Sequence, residues 1–248
     1  MENNELLRRA EDLLDRCQRK GCVTVTGFLS PAERFQLETW GKKRVGCRLL
    51  FYGGQPDSER TLGFFLPEEQ DAEAFEPKAY LRAMKLTAHF GRPGHRDYLG
   101  AVLGMGVGRE WVGDILIDGE TAWIFCLPSV LQHLLNLHQA GRVSVTAEEI
   151  TPDAVPRMER RVEERSFTVQ STRLDAVLAG LFKLSRTEAA RQIAAGSVSL
   201  NYSQSLKPDC LVHEGDVLSL RGMGKGKITG FGGASRKGRQ FVYAELYL

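Results

Sequence analysis

The sequence predicts an α+β protein of three small units, at residues 1–77, 78–165 and 166–248. Three observations predict it. An amphipathic stripe at the start gives way to short alternating runs. Residues 84–146 then read strand, helix, strand, strand, helix, strand. From residue 171, two short helical stripes lead into small alternating strands. At 248 residues the chain has room for two or three cores. Its 42% apolar and 26% charged residues are those of an ordinary globular protein.

In the first unit Leu6, Leu7, Ala10, Leu13, Leu14 and Cys17 recur at helical spacing, and Gly21 ends that helix. Residues 23–28 alternate as a strand. Ser30-Pro31 starts a second helix running to about Trp40. Strands at 48–52 and 61–66 flank the turn-rich GGQPDSER. The acidic stretch 67–77, with Glu68, Glu69, Asp71, Glu73 and Glu76, reads as a linker or a short surface helix.

The second unit reads as strand 84–90, helix 97–103, strands 114–117 and 121–126, helix 128–137 and strand 143–146. Asp118-Gly119 marks the hairpin. This order is the split pattern of ferredoxin-like folds, which include RNA-recognition (RRM-like) domains. Trp123 and Phe125 alternate correctly in the third strand, but the basic and glycine positions of an RNA-recognition motif are missing, so they read as one face of a sheet. Arg92, His95 and Arg96 lie just before the first helix of this unit. Two readings stay open for them: an anion site at a helix N-terminus, or solvated charges beside a helix capped by Asp97. Gly104, Gly106 and Gly108 follow a helix rather than a strand, which rules against a dinucleotide loop and for a helix-ending turn.

In the third unit Ser171-Thr172 is a helix start, and Leu174, Val177, Leu178 and Leu181 form its stripe. Ser185 caps a second helix, with Glu188 completing a capping box. That helix buries Ala189, Ala190 and Ile193 and ends at Gly196. Strands follow at 198–201 and 217–220. Arg-Leu-Asp (Arg173, Leu174, Asp175), Ser-Arg (Ser185, Arg186), Gly-x-Val (Gly196, Val198) and Gly-Asp-x-Leu (Gly215, Asp216, Leu218) occur in order over about fifty residues. The stretch resembles the S4-type RNA-binding domain. It departs from that pattern at Asn201-Tyr202, where the family has Asn-Gly.

Charge agrees with the resemblance and does not depend on it. Residues 166–248 hold eleven Lys and Arg against six Asp and Glu, a net of +5, although the whole chain is only +2. One end is therefore expected to meet a polyanion. Arg173, Arg186 and Arg191 are read as a phosphate-gripping face, with hydroxyl help from Ser185 and Thr187. Arg221, Lys225, Lys227, Arg236, Lys237 and Arg239 lie in a tail with seven glycines and no acid, read as an extension of that face. A final alternation at 241–248 closes the sheet.

His-Arg-Asp (His95, Arg96, Asp97), the Leu-Gly-rich turn and Gly-Asp-Ile (Gly113, Asp114, Ile115) resemble the middle domain of the YlmH type of S4-domain proteins. Arg221-Gly-Met-Gly-Lys225 resembles that type's Arg-Gly-aromatic-Gly-Arg tail, with Met223 for the aromatic residue and Lys225 for the arginine. The resemblance implies a non-catalytic protein that binds ribosomal RNA and tRNA on large ribosomal subunits obstructed by peptidyl-tRNA. It implies a part in ribosome-associated quality control, where stalled chains receive alanine tails. The competing classes are a ribosome-assembly or structural RNA-binding factor and an RNA-modifying enzyme carrying an S4-type domain.

Against an enzyme, the only Arg-Leu-Asp is the one assigned to the binding helix, and no nucleotide-binding or methyl-donor loop is present. The five cysteines are scattered without a C-x-x-C pair, and His133 and His138 share no helix face, so no metal or other cofactor is expected. Buried reduced thiols, no membrane contact, a cytoplasmic location and a monomer complete the expectation.

Overall fold

The computed structural model describes residues 2–44, 46, 48–158, 162–234 and 238–247, the side chains of residues 2–4 excepted. The chain divides into two compact units, Met1–Met158 and Glu159–Leu248. Helices pack on antiparallel sheets in both, as the α+β pattern predicts.

The first unit opens with α1 (Glu2–Lys20), whose apolar stripe buries Ala10, Leu14 and Cys17, and Gly21 follows it at φ +58°. Strand β1 is only Thr24–Val25, shorter than the predicted 23–28. The chain leaves the sheet there because Phe28 N–H turns to Glu110 O at 2.7 Å and Gly27 has no room for a side chain against the same carbonyl. Helix α2 (Pro31–Gly41) starts at Ser30, whose hydroxyl and backbone N–H form a capping box with Glu33. Strands β2 (Arg48–Tyr52) and β3 (Leu62–Leu66) complete a sheet of order β1-β3-β2. The acidic stretch forms turns and bends rather than a helix.

Next come β4 (Arg82–Ala88), α3 (His95–Gly104), β5 (Val112–Asp118), β6 (Thr121–Cys126), α4 (Pro128–Leu134), β7 (Gln139–Ala140) and β8 (Val143–Ile150). Their sheet order is β5-β6-β4-β8-β7, with every pair antiparallel. The helix α4 stops before the predicted residue 137. Asn136 turns its amide to the Gln132 and His133 carbonyls, and the chain folds back at Gly141 (φ +59°) so that β7 can pair with β8.

All five residues of β3 are buried because both its faces are covered. Phe65 packs with Leu37 and Trp40 under α1 and α2. Leu62, Phe64 and Leu66 share a core with Phe28, Ala83, Phe125 and Val155. The first two predicted regions are thus joined by one core. Half-buried arginine bonds reinforce the join: Arg60 Nη2 donates to Phe28 O (2.7 Å) and Arg109 O (2.9 Å), and Arg109 Nη1 to Gly113 O (2.8 Å). Burial, and then the neighbouring Arg60 charge, push the Arg109 guanidinium down to about 10.

The second unit begins with β9 (Val162–Val169), so residues 162–165 lie in its sheet, ahead of the boundary expected at 166. It continues with α5 (Leu174–Phe182), α6 (Arg186–Ala194), β10 (Val198–Leu200), β11 (Ser203–Gln204), β12 (Val217–Leu220), β13 (Gly224–Ala234) and β14 (Gln240–Tyr247). The order is β11-β10-β12-β13-β14-β9, again antiparallel. Residues 224–234 of the glycine-rich basic tail therefore form an inner strand, bulged near Gly230 and between Phe231 and Ala234. The two helices bury Leu174, Val177, Leu178, Leu181, Ala189 and Ile193 against Val198, Leu218, Ile228 and Val242.

Cys17 and Cys126 are buried, but Cys22 is exposed and Cys210 half-exposed, which departs from uniformly buried thiols. Among the described residues no helix is long and apolar enough to cross a membrane.

Candidate nucleic-acid interface

The start of α5 is held by a distant loop rather than by its own side chains. Leu174 N–H donates to Cys210 O (2.8 Å) and Asp175 N–H to Pro208 O (3.0 Å), so Arg173, not Ser171 or Thr172, is the flanking residue. Lys183 takes the left-handed conformation (φ 55°) to end the helix, and Ser185 begins α6 two residues later. Across this tight corner the side chain of Arg186, at the start of α6, reaches back to the start of α5.

Asp175 lies between them, its side chain only 8% exposed. It accepts Nε and Nη2 of Arg173 at 3.2 and 3.3 Å, and Nε and Nη2 of Arg186 at 3.2 and 3.4 Å. Burial pushes the Asp175 carboxyl up, but the guanidinium hydrogen bonds and charges outweigh it and hold the group below the usual aspartate value. The arginines remain 39% and 51% exposed, and Nη1 of each has no partner among the described residues. Two guanidiniums on one carboxylate leave a net positive charge whose planar donor edges suit phosphate oxygens.

The other predicted residues divide by geometry. Ser185 Oγ accepts Glu188 N–H at 3.1 Å, which is half of the expected capping box. The Glu188 carboxylate turns instead to Arg191 (2.8 and 2.9 Å) and Gln192 (2.7 Å). The Arg191 bonds hold Glu188 below its usual carboxylate value. Arg191 is thus paired, and five residues of helix rotate it about 140° from Arg186. Thr187 is exposed near the arginine pair.

Lys225 and Lys227 alternate with Gly226 and Ile228, which face the helices. A Cβ at Gly226 would stand 3.1 Å from Leu181. The two lysines therefore stand on the opposite face of the sheet, away from Arg173 and Arg186. This departs from the expected extension of one face. Lys225 lies over the rings of Tyr247 (5.3 Å) and Tyr202 (5.9 Å). Arg221 is exposed in the turn before β13, and Arg239 Nη2 donates to Thr168 O at 2.8 Å. Arg236 and Lys237 lie outside the described residues.

In the first unit, Asp97 Oδ2 accepts Gly94 N–H at 2.8 Å, so an acid already occupies the start of α3. Arg92, His95 and Arg96 are exposed around it. The sheet face carrying Trp123 and Phe125 is covered: Phe125 is fully buried and Trp123 packs against the same core. Base stacking on that face is closed. Among the described residues no cluster could hold a metal ion.

Sequence reasoning missed the organising role of Asp175. The signal was present, since helical rotation puts Asp175 about 20° from buried Phe182 and makes it a polar residue on the inner face.

A family model described as "Putative RNA-binding domain in YlmH" matches residues 71–153. The chain is 31% identical over 225 residues to the "Ribosome-associated protein quality control protein P2" of Bacillus subtilis (strain 168), covering 90% of this chain and 87% of that protein. The chain belongs to the YlmH family. A solved structure titled "Cell division protein ylmH from Streptococcus pneumoniae" matches with a TM-score of 0.51 at 20% identity, over 60% of this chain and 92% of that one, a likeness of fold. The YlmH family model falls on α3, α4 and the sheet between them, whereas the arginine pair lies beyond its match.

Proposed function

We propose that this chain is a non-catalytic RNA-binding protein of ribosome-associated quality control. It binds the large ribosomal subunit through ribosomal RNA and tRNA, and acts on obstructed subunits during alanine tailing. The second unit acts as an S4-type RNA-binding domain, and strands β4 to β8 with their helices form a ferredoxin-like, RRM-like part of the first unit. The protein works in the cytoplasm as a monomer without cofactor.

The observation that carries this reading is the Arg173–Asp175–Arg186 cluster, two guanidiniums held in fixed geometry with free donor edges. Such a pair reads backbone spacing rather than sequence, the mode suited to folded RNA. The name of the 31% identical relative supports the ribosomal setting.

Co-sedimentation with purified large subunits, with and without bound peptidyl-tRNA, tests it. Wild type is expected to pellet with obstructed subunits. Arg173→Ala/Arg186→Ala is expected to lose on the order of ten-fold or more in affinity per phosphate contact. A Lys/Lys double variant, which keeps charge but not the fork geometry, separates a lost contact from lost folding. Equal binding by wild type and the Ala/Ala variant refutes the assignment. Preference for immature particles supports an assembly factor instead, and turnover of a labelled RNA revives an enzyme.

A further inference from the structure

Phe90 is the most exposed large apolar side chain among the described residues, at 90%. It does not sit on a loose end. His89 N–H donates to Ser144 O at 3.1 Å, and the His89 ring meets Thr146 Oγ1 at 2.6 Å. Gly91 follows at φ +106°, where an added Cβ would stand 3.2 Å from the Val143 side chain. Pro93 is buried, and Gly94 is tied to Asp97. The ring is held out in water by a loop anchored on both sides.

Four basic side chains stand on the segments next to that ring. Arg92, His95 and Arg96 come from the loop and the first turn of α3. Arg142 joins them because its neighbours Gly141 and Val143 touch Asp97 and Gly91. All four are exposed and have no hydrogen-bond or ion-pair partner among the described residues. The one acid of this cluster, Asp97, is committed to the helix start. The free helix terminus is therefore not the attraction; the ring and the guanidiniums are.

We infer that Phe90, Arg92, Arg96 and Arg142 form a second RNA contact that takes an unpaired nucleotide, with its base on the Phe90 ring and its phosphates on the arginines. A flat apolar ring beside uncommitted guanidiniums is the chemistry of single-strand recognition, in which stacking is tolerant of sequence and charge tracks the backbone. The inference rests on the RNA-binding reading above but not on the arginine pair of the other unit.

The test is fluorescence anisotropy of the full chain with a labelled ten-nucleotide oligouridylate, in an Arg173→Ala/Arg186→Ala background. That background is expected to retain binding. Adding Phe90→Ala weakens it on the order of ten-fold, the loss of one base stack. Phe90→Trp restores it, which a merely structural role would not require. Arg92→Ala/Arg142→Ala flattens the log–log salt dependence by roughly 1.4, for two phosphates on a single strand. If Phe90→Ala binds as its parent does, the inference is wrong. Complete loss of oligomer binding in the arginine-pair background overturns it too and leaves the proposed function intact. If the arginine-pair variant binds like wild type and Phe90→Ala does not, the loop contact stands, and the arginine pair is judged by subunit co-sedimentation alone. Loss of ribosomal-subunit binding by Phe90→Ala with oligomer binding unchanged marks a protein-docking surface and rejects the RNA contact.

Discussion

Replacing Asp175 by Asn separates a positioned arginine pair from a merely basic surface, because the two accounts predict opposite signs. The substitution raises the net charge by one, so non-specific attraction to RNA should grow. The structure predicts weaker binding. The carboxylate accepts four N–H bonds at 3.2 to 3.4 Å from two guanidiniums. An amide of the same shape offers one oxygen and turns its NH₂ group toward the other arginine, donor against donor. A hydrogen bond to a charged group contributes about 1.5–3 kcal/mol. These bonds are long, and the arginines are about half exposed, so the Asp175 contribution is discounted to about 1–2 kcal/mol. For a unit of this size that lowers the melting temperature by roughly 4–16 °C. The pH dependence follows from the lowered folded-state pKa. The stabilisation is fully present above the unfolded value near 3.8 and is lost as pH falls through the lower folded value. Thermal melts of wild type and variant should therefore differ at neutral pH and draw together as pH falls from about 3.8 through the lower folded value. RNA affinity is read by anisotropy well below both transitions. An Asn variant that melts like wild type and binds more tightly would refute the idea that Asp175 organises the arginines.

Three further outcomes are expected. Gly180→Ala should destabilise the second unit by about 1–3 kcal/mol in denaturant melts, although alanine is the better helix former, because its Cβ would lie 2.1 Å from the Phe167 ring. Phe125→Ala should cost about 3–5 kcal/mol of first-unit stability yet leave RNA affinity unchanged at a temperature where the protein stays folded, as befits a core side chain rather than a stacking platform. Arg191→Ala should weaken RNA binding far less than Arg186→Ala in the same titration, because Arg191 is paired with Glu188 on another side of α6.

Much of the architecture was legible in the chain. The strand-helix order of residues 84–146, the helix start at Ser30-Pro31, the hairpin at Gly119 and both helices after residue 171 follow from periodicity and turn chemistry, which act within a few residues. The arginines at the helix starts were legible for the same reason, as was the concentration of positive charge in the last 83 residues. Boundaries were less so. Strand β1 and helix α4 end early where long-range partners, Glu110 O and β8, take over the backbone.

Sequence by itself determined most of the helices and strands, β9 and β13 excepted, and which end of the chain is basic. Only the tertiary structure decided which faces are covered and which charges are spent. Trp123 and Phe125 alternate as a stacking face would, but β3 and Phe28 fill that face. Lys225 and Lys227 share a tail with Arg221 in sequence, yet strand alternation turns them away from the arginine pair once Gly226 and Ile228 face the helices. Arg173 and Arg186 become one site only because a corner at Lys183 brings two helix starts to the same buried carboxylate. Local spacing sets the period of a segment; its partner across the core sets which side of that period faces water.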